Sequence, residues 1–443
     1  MAEKKNVEKK TENSEVRLKG MSYNVVVITS ILGTLMCINQ IFDLHAFGIT
    51  LIGSAYYYLI LAAYLSVAFL IFPGSGKSKH RVMWYDWCLF FVCIIDLVYL
   101  ASNANNILTR GWEYSAPFLP TLAGVLLWLL ALEGVRRTGG FPLFVICLIF
   151  SFYPLYAGHM PGFLWGHSFP LLQLVTAHSM GVESIIGIPV RVVGNVLIGF
   201  MLFGVALVSS GGGKFFMDFA FSLFGNKRGG AAKVCVVSSA FMASLSGSII
   251  SNVATVGPVT IPVMKRTGYS SKWAAAIEGC ASMGGTVTPP IMGAAAFLIA
   301  SFLNVPYLHV MLAAVFPALL YYLILLLQID IQAVTEEIEG LPQDELPNLF
   351  NTLKSGWFYF GTVILLVFFL VYMRTEAWAP YYAMIFLFIC AMIRKETRYT
   401  WKKFTEFAVD GARLLGQITA ILAGVGLIVG SLSVTGVANS FAR

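Results

Sequence analysis

Charge is scarce in this sequence. Asp, Glu, Lys and Arg together make up 12% of its 443 residues, against 58% hydrophobic residues, a balance that excludes an ordinary soluble globular protein. The patterns that carry most enzyme chemistry are also missing. No nucleophile, base and third group recur at a recognisable spacing, and no Walker or Rossmann glycine pattern occurs, so neither an enzyme nor ATP use is expected. Cys37, Cys88, Cys93, Cys147, Cys235, Cys280 and Cys390 fall within or at the edge of apolar segments, with no CxxC or Cys/His spacing. They are expected to pack as small hydrophobes, with neither zinc nor a disulfide framework. The formal charge of +7 could point to nucleic acid or an acidic partner. The basic residues cluster in short loops between apolar stretches, however, so membrane topology accounts for them and no nucleic-acid partner is expected.

What fills the sequence is a recurring stretch of about 20 apolar residues, the pattern of an all-α, polytopic membrane protein. Residues 1–20 read as a polar cytoplasmic tail. Four spans follow at about 22–42, 49–72, 88–101 and 118–132. Lys77, Lys79, Arg81, Arg136 and Arg137 mark their cytoplasmic side, and Trp84, Tyr85 and Trp87 form an interfacial belt. Residues 21–138 contain no broken helix and read as a scaffold. Asp96, inside the third span, is expected to make a structural hydrogen bond to a neighbouring helix.

A second section, 139–413, begins at Gly139-Gly140. A span at 141–156 leads to an outer loop, and His159, His167 and His178 are expected at the surface or interface because their spacing fits no helical metal pair. The segment 176–190 is interrupted. Arg191 beside it either snorkels to the interface or binds a substrate carboxylate. After a span at 192–208, residues 214–225 read as an amphipathic helix on the membrane surface. Further spans are expected at 310–327, 357–373 and 380–393, followed by Arg394-Lys395 and a basic amphipathic helix through Arg413. A last apolar stretch covers 414–434. The sum is about 11 helical segments plus one re-entrant hairpin.

That hairpin belongs to the stretch on which the chain is organised, residues 231–300. It is apolar enough for a bilayer yet interrupted twice, at Ser246-Gly247-Ser248 and at Gly284-Gly285-Thr286-Val287-Thr288-Pro289-Pro290. An unsatisfied backbone group in hydrocarbon costs several kcal/mol, so such breaks persist where they are buried in protein or line a hydrated cavity. Free carbonyls with the hydroxyls of Ser246, Ser248, Ser251 and Thr255 and the amide of Asn252 make an oxygen-rich cage without formal charge, which suits Na⁺. Half-helix N-termini suit a carboxylate. Paired sites of this kind point to a secondary transporter; the alternative is that the small residues merely let helices pack closely. The Na⁺ ligands expected are Ser248, Ser251, Asn252, Thr255, Gly284, Gly285, Thr286, Thr288 and Pro290. Ser246, Gly247, Ser248, Asn252, Thr288 and Pro289 are expected at the substrate. Lys265-Arg266 returns the hairpin, 231–266, to the side it entered from; the broken helix, 272–300, then crosses outward, with Glu278 a solvated or interfacial charge on its cytoplasmic half.

Four blocks in order, SGSIISNVATVG at 246–257, IPVMKRTGY at 261–269, AAAIE at 274–278 and GGTVTPPIMGAAAF at 284–297, with LPQDELP at 341–347 and YYL at 321–323, resemble the large membrane subunit of tripartite ATP-independent periplasmic (TRAP) transporters. The resemblance extends to the branch in which the small four-span subunit is fused in front of the large one and the partner is a TAXI-type substrate-binding protein. It implies a multi-pass protein of the bacterial cytoplasmic membrane, N-terminus inside, that takes up an organic acid with Na⁺ as coupling ion, without other cofactor, by an elevator-type movement. A binding-protein-independent elevator carrier of carboxylates is the nearest alternative.

The chain also aligns on itself. LVSSGGGKFF at 207–216 matches LSVTGVANSF at 432–441 at an offset of 225, in opposite orientation, as in an inverted-topology repeat. Residues 414–443 thus read as the start of a second repeat. The resemblance implies a second hairpin and broken helix beyond Arg443, whether truncated, recorded incompletely or supplied by another chain; a transport-incompetent fragment or scaffold is the remaining alternative.

Overall fold

The computed structural model describes residues 17–45, 48, 51–75, 80–373, 376–394 and 397–441. Most of the N-terminal tail, the topology markers Lys77, Lys79 and Lys395, and Arg443 lie outside them. Every regular element among the described residues is a helix: α1 Met21–Ile41, α2 Gly53–Ile71, α3 Trp84–Ser102, α4 Ala104–Arg110, α5 Phe118–Thr138, α6 Gly140–Tyr156, α7 Leu171–Ser179, α8 Ile188–Ser209, α9 Gly212–Phe224, α10 Gly230–Ser246, α11 Ile249–Arg266, α12 Ser271–Gly285, α13 Ala294–Leu303, α14 Tyr307–Thr335, α15 Leu349–Tyr372, α16 Ala379–Ile393, α17 Trp401–Val434 and α18 Val437–Phe441, with a few single 3₁₀ turns between them. Nine helices among the described residues are long and apolar enough to cross a membrane. The protein is therefore a polytopic helical membrane protein.

The chain divides into two compact units, residues 1–198 with 408–443, and residues 199–407. In the first, α2 is apolar on every face and almost wholly buried, as expected for a helix at the centre of a bundle, and α1, α3 and α5 pack round it. One end of this bundle is closed by ion pairs: buried Asp86 meets Arg17 and Arg137 at 2.6 Å each, and the partly exposed Glu133 meets Arg136 and Arg137 at 2.7 Å. Arg137 also donates to the carbonyls of Phe69 and Phe72, closing the C-terminal end of α2. Two expectations change here. His178 is not at a surface but buried, bonded at 2.8 Å to both the Ser184 hydroxyl and the Ser151 carbonyl, whereas His159 and His167 are exposed. Asp96 is buried, but its Oδ2 makes no hydrogen bond to a neighbouring helix, because the side chains around it in the bundle are largely apolar. Arg191 donates to the carbonyls of Val182 and Ile186, satisfying the interrupted segment between α7 and α8.

In the second unit, amphipathic α9 buries Phe215, Phe216 and Met217. Its phenylalanines stack on Phe241 of α10 and pack tilted or edge-on against Tyr359 and Phe360 of α15. Asp330 of α14 holds Arg228 and Lys233 at 2.6 Å, fixing the start of α10. The two segments that align with each other, 207–216 and 432–441, share one local geometry: a long helix ends at Ser209 or Val434, a left-handed glycine follows at Gly211 (φ +102°) or Gly436 (φ +77°), and a new helix begins at the next residue.

Candidate functional site

The site is built where two unwound segments of the second unit meet. The first is the turn between α10 and α11. Gly247 caps α10 with φ +62° and donates to the Ala243 carbonyl at 2.8 Å, a left-handed C-cap that favours glycine. Ser248 is the N-cap of α11, its Oγ accepting the Ser251 N–H at 3.3 Å, and the Ser246 hydroxyl accepts the Ser248 N–H at 3.4 Å. The amides of Ile249 and Ile250, in the first turn of α11, are taken by no carbonyl or side chain among the described residues. An N-terminus of this kind is suited to an anion.

The second segment, residues 286–293, separates α12 from α13. Its N–H groups are all accounted for. Those of Thr286, Val287 and Thr288 reach back to Met283, Gly284 and Gly285, those of Ile291 and Met292 both donate to the Ser244 carbonyl at 3.3 Å, and that of Gly293 donates to Thr286 at 2.7 Å. Pro289 and Pro290, joined by a cis peptide bond, have none. The segment therefore has no backbone donor left for an anion, while carbonyl oxygens remain.

The Ser244 bonds tie the two segments together. Gly285 makes the approach possible: a β-carbon there would lie 2.9 Å from the Ala243 Cα. The helix supporting this junction was not foreseen as part of it. Tyr307 of α14 is fully buried, stacks on Phe297 at 4.1 Å, and donates its hydroxyl to the carbonyls of Pro290 and Ile291. Tyr321 and Tyr322, the tyrosines of the YYL motif, donate to the carbonyls of Cys280 and Ala281 in α12.

Of the residues expected at the site, Ser246, Gly247, Ser248, Ser251 and Asn252 lie in or one turn from the first break, and Gly284, Gly285, Thr286, Thr288, Pro289 and Pro290 lie in or at the edge of the second. Thr255 sits a further turn along α11, donates to the Ser251 carbonyl, and turns its methyl toward α9 at Gly213. The hydroxyls of Thr286 and Thr288 donate to the helix carbonyls of Met283 and Gly284, and the Pro290 carbonyl is engaged by Tyr307.

Asn252 carries the most informative geometry. It is 2% exposed, its Nδ2 donates to the Ser282 hydroxyl at 2.8 Å, and its Oδ1 is buried with no hydrogen-bond partner. A buried amide oxygen left bare costs about 1–3 kcal/mol, and a hard cation is a ligand that would satisfy it. Glu278 corrects its expected place at an interface. It is 1% exposed, enclosed because both hairpin arms pack against α12, and accepts from Thr260 at 2.6 Å, Cys235 at 3.0 Å and Ser282 at 3.4 Å. The signal in the sequence was Glu278 and Ser282 at i and i+4 on one helix face.

A family model described as the DctM component of the tripartite ATP-independent periplasmic transporter matches residues 126–443, more than half of the chain. The chain belongs to this DctM family. It is similar to the C4-dicarboxylate TRAP transporter large permease protein DctM of Pseudomonas aeruginosa, 33% identical over 168 residues covering 38% of this chain and 39% of the relative. A second similarity is to the 2,3-diketo-L-gulonate TRAP transporter large permease protein YiaN of Escherichia coli, 27% identical over 205 residues, 45% of this chain and 47% of the relative. A large permease protein of Haemophilus influenzae is 35% identical over 121 residues, 27% of this chain and 28% of the relative. The chain thus aligns with less than half the length of each of these relatives. Their names are those of transporters, not of enzymes.

Proposed function

We propose that this DctM-family chain is the membrane component of a Na⁺-coupled importer of an organic acid, delivered by a TAXI-type substrate-binding protein on the outer side. The observation that carries the proposal is the bare, buried Asn252 Oδ1 at the meeting point of two unwound helices. Na⁺ is held by Asn252 with the oxygens of Ser248 and Ser251 on the hairpin side and by carbonyls of 286–289 on the other. The substrate carboxylate lies at the N-terminus of α11, beside Ser246, Gly247 and Ser248, where amides are free to donate, with Thr288 and Pro289 lining the opposite side. Carboxylic acids are a common element of the substrates named for the DctM and YiaN relatives, which supports the class without choosing a member. The four-span section 21–138 corresponds to the small subunit fused in front of the large one. The chain lies in the bacterial cytoplasmic membrane with its N-terminus inside, and transport proceeds by an elevator-type movement.

The test is uptake of labelled C4-dicarboxylates and sugar acids into proteoliposomes holding the transporter with its binding protein, measured against external Na⁺. Asn252→Ala should raise the half-activating Na⁺ concentration at least about tenfold, the loss of one charge-bound ligand, and Ser248→Ala should raise it less. Unchanged Na⁺ activation in Asn252→Ala would refute the assignment.

A further inference from the structure

The oxygens gathered at the hairpin tip are neutral, yet a buried monovalent cation needs its charge balanced nearby. Glu278 provides a buried carboxylate beside them. No Lys, Arg or His pairs with it among the described residues. The neighbours it bonds are two hydroxyls and one thiol, Thr260 on α11, Ser282 on its own helix and Cys235 on α10, and its side-chain carbons lie over Gly257, where a β-carbon would stand 3.6 Å from Cγ. Each of these polar groups can donate, and an ionised carboxylate can only accept.

The direction of the chain follows. Asn252 Nδ2 donates to Ser282 at 2.8 Å, and Ser282 donates to Glu278 Oε1 at 3.4 Å. With its nitrogen committed to Ser282, the Asn252 amide has one orientation, which leaves its Oδ1 without a hydrogen-bond partner among the described residues. Two hydrogen bonds in series also set the distance: the carboxylate lies within about 6 Å of the amide nitrogen, close enough for its charge to act on a cation at the amide oxygen.

We infer that Glu278 is the positioning residue of this site: through Ser282 it fixes the orientation of Asn252, and it supplies the negative charge that the neutral oxygens around a bound sodium ion lack. The inference rests on the Na⁺ site proposed above. It assigns Glu278 no contact with the ion. One remote carboxylate added to a neutral cage balances a single positive charge, and Ser282 gains a role that its small hydroxyl alone would not suggest.

The experiment measures ²²Na⁺ binding to the purified full chain in lipid nanodiscs by scintillation proximity, with size-exclusion profile and thermal unfolding recorded for each variant. Glu278→Gln keeps the side chain's volume and removes its charge. A unit charge about 8 Å away at an effective dielectric of about 20 corresponds to roughly a thirtyfold loss of affinity, with the folding profile unchanged. Ser282→Ala should lose less, and the double variant should bind no worse than Glu278→Gln alone, because both act along one relay. Glu278→Asp retains the charge and should bind Na⁺ within about fivefold of the unsubstituted chain, a smaller loss than removing the charge. A merely structural role would move the unfolding curve without moving affinity. Unchanged affinity in Glu278→Gln overturns the role of Glu278 and leaves the Na⁺ site standing. Where Glu278→Gln does not fold, a thirtyfold loss in a folded Glu278→Asp overturns it equally. Absence of saturable Na⁺ binding that Asn252→Ala abolishes overturns both proposals.

Discussion

Substituting Gly285 tests whether α10 and α12 meet backbone to backbone. A β-carbon at Gly285 would stand 2.9 Å from both the Cα and the carbonyl carbon of Ala243, and closer still to its methyl group. These are main-chain atoms, which no rotamer change can move aside. Restoring ordinary contact requires a parting of about 1.5–2.0 Å at the methyl, which would stand 2.0 Å away, and of about 0.6–1.1 Å at the main-chain atoms, since carbon atoms rest at roughly 3.5–4.0 Å. The overpacking costs about 1–3 kcal/mol. Parting also strains the two hydrogen bonds from Ile291 and Met292 to the Ser244 carbonyl, already 3.3 Å long, so that at about 3.6 Å and beyond they cease to be bonds. Gly285→Ala should therefore lower both thermal stability and Na⁺ affinity. The internal control is Gly279→Ala in the same helix, where a β-carbon meets nothing within 4 Å and the helix gains up to about 1 kcal/mol in propensity. Ala243→Gly combined with Gly285→Ala should recover part of the loss, because the methyl contact disappears while the main-chain contacts stay. The assay is thermal unfolding of each purified variant beside ²²Na⁺ binding. If Gly285→Ala is as stable as Gly279→Ala, the helices do not approach as described.

Tyr307→Phe keeps the stack on Phe297 but removes the hydroxyl that two carbonyls of the second break accept; a loss of about 1–3 kcal/mol is expected, read as earlier thermal unfolding and weaker Na⁺ binding. Asp86→Ala leaves Arg17 and Arg137 buried without their shared carboxylate, which should cost about 3–5 kcal/mol and show as loss of a monodisperse chromatographic peak; a stable, monodisperse variant would mean that the pairs contribute little to holding the bundle.

The breaks could be read from the sequence because glycine and proline state their backbone requirements locally. Gly247 carries φ +62° between α10 and α11, and Pro289-Pro290 lies within the unwound segment after α12. The long apolar helices were legible for the same kind of reason, since a span needs about 20 apolar residues whatever it packs against. Residues whose role depends on distant neighbours were not. Glu278 reads as an interfacial charge until α10 and α11 are seen to bring Cys235 and Thr260 to it from 43 and 18 positions away. His178 is buried against Trp128 and bonded to the Ser151 carbonyl, 50 and 27 positions before it. The expected ligand set lost definition for the same reason: the Pro290 carbonyl is engaged by a tyrosine 17 residues further on.

Counting donors and acceptors separates what the two breaks can do. Residues 286–293 use each N–H they have and retain carbonyl oxygens, so on the proposed mechanism they can coordinate a cation and cannot bind an anion through the backbone. At the hairpin the imbalance is reversed, because Ile249 and Ile250 keep first-turn amides that nothing among the described residues accepts. A carboxylate on one side and a sodium ion on the other would then each meet the backbone groups of their own kind, with Asn252 between them. The Ser244 carbonyl, accepting from Ile291 and Met292, joins the second break to the helix that ends at the first. Displacement of either segment is thereby felt by the other, which is the physical requirement for coupling an ion to a substrate. On the proposed mechanism that coupling would run through two hydrogen bonds and one glycine contact, so the Gly285 variant should loosen it even where each ligand still binds.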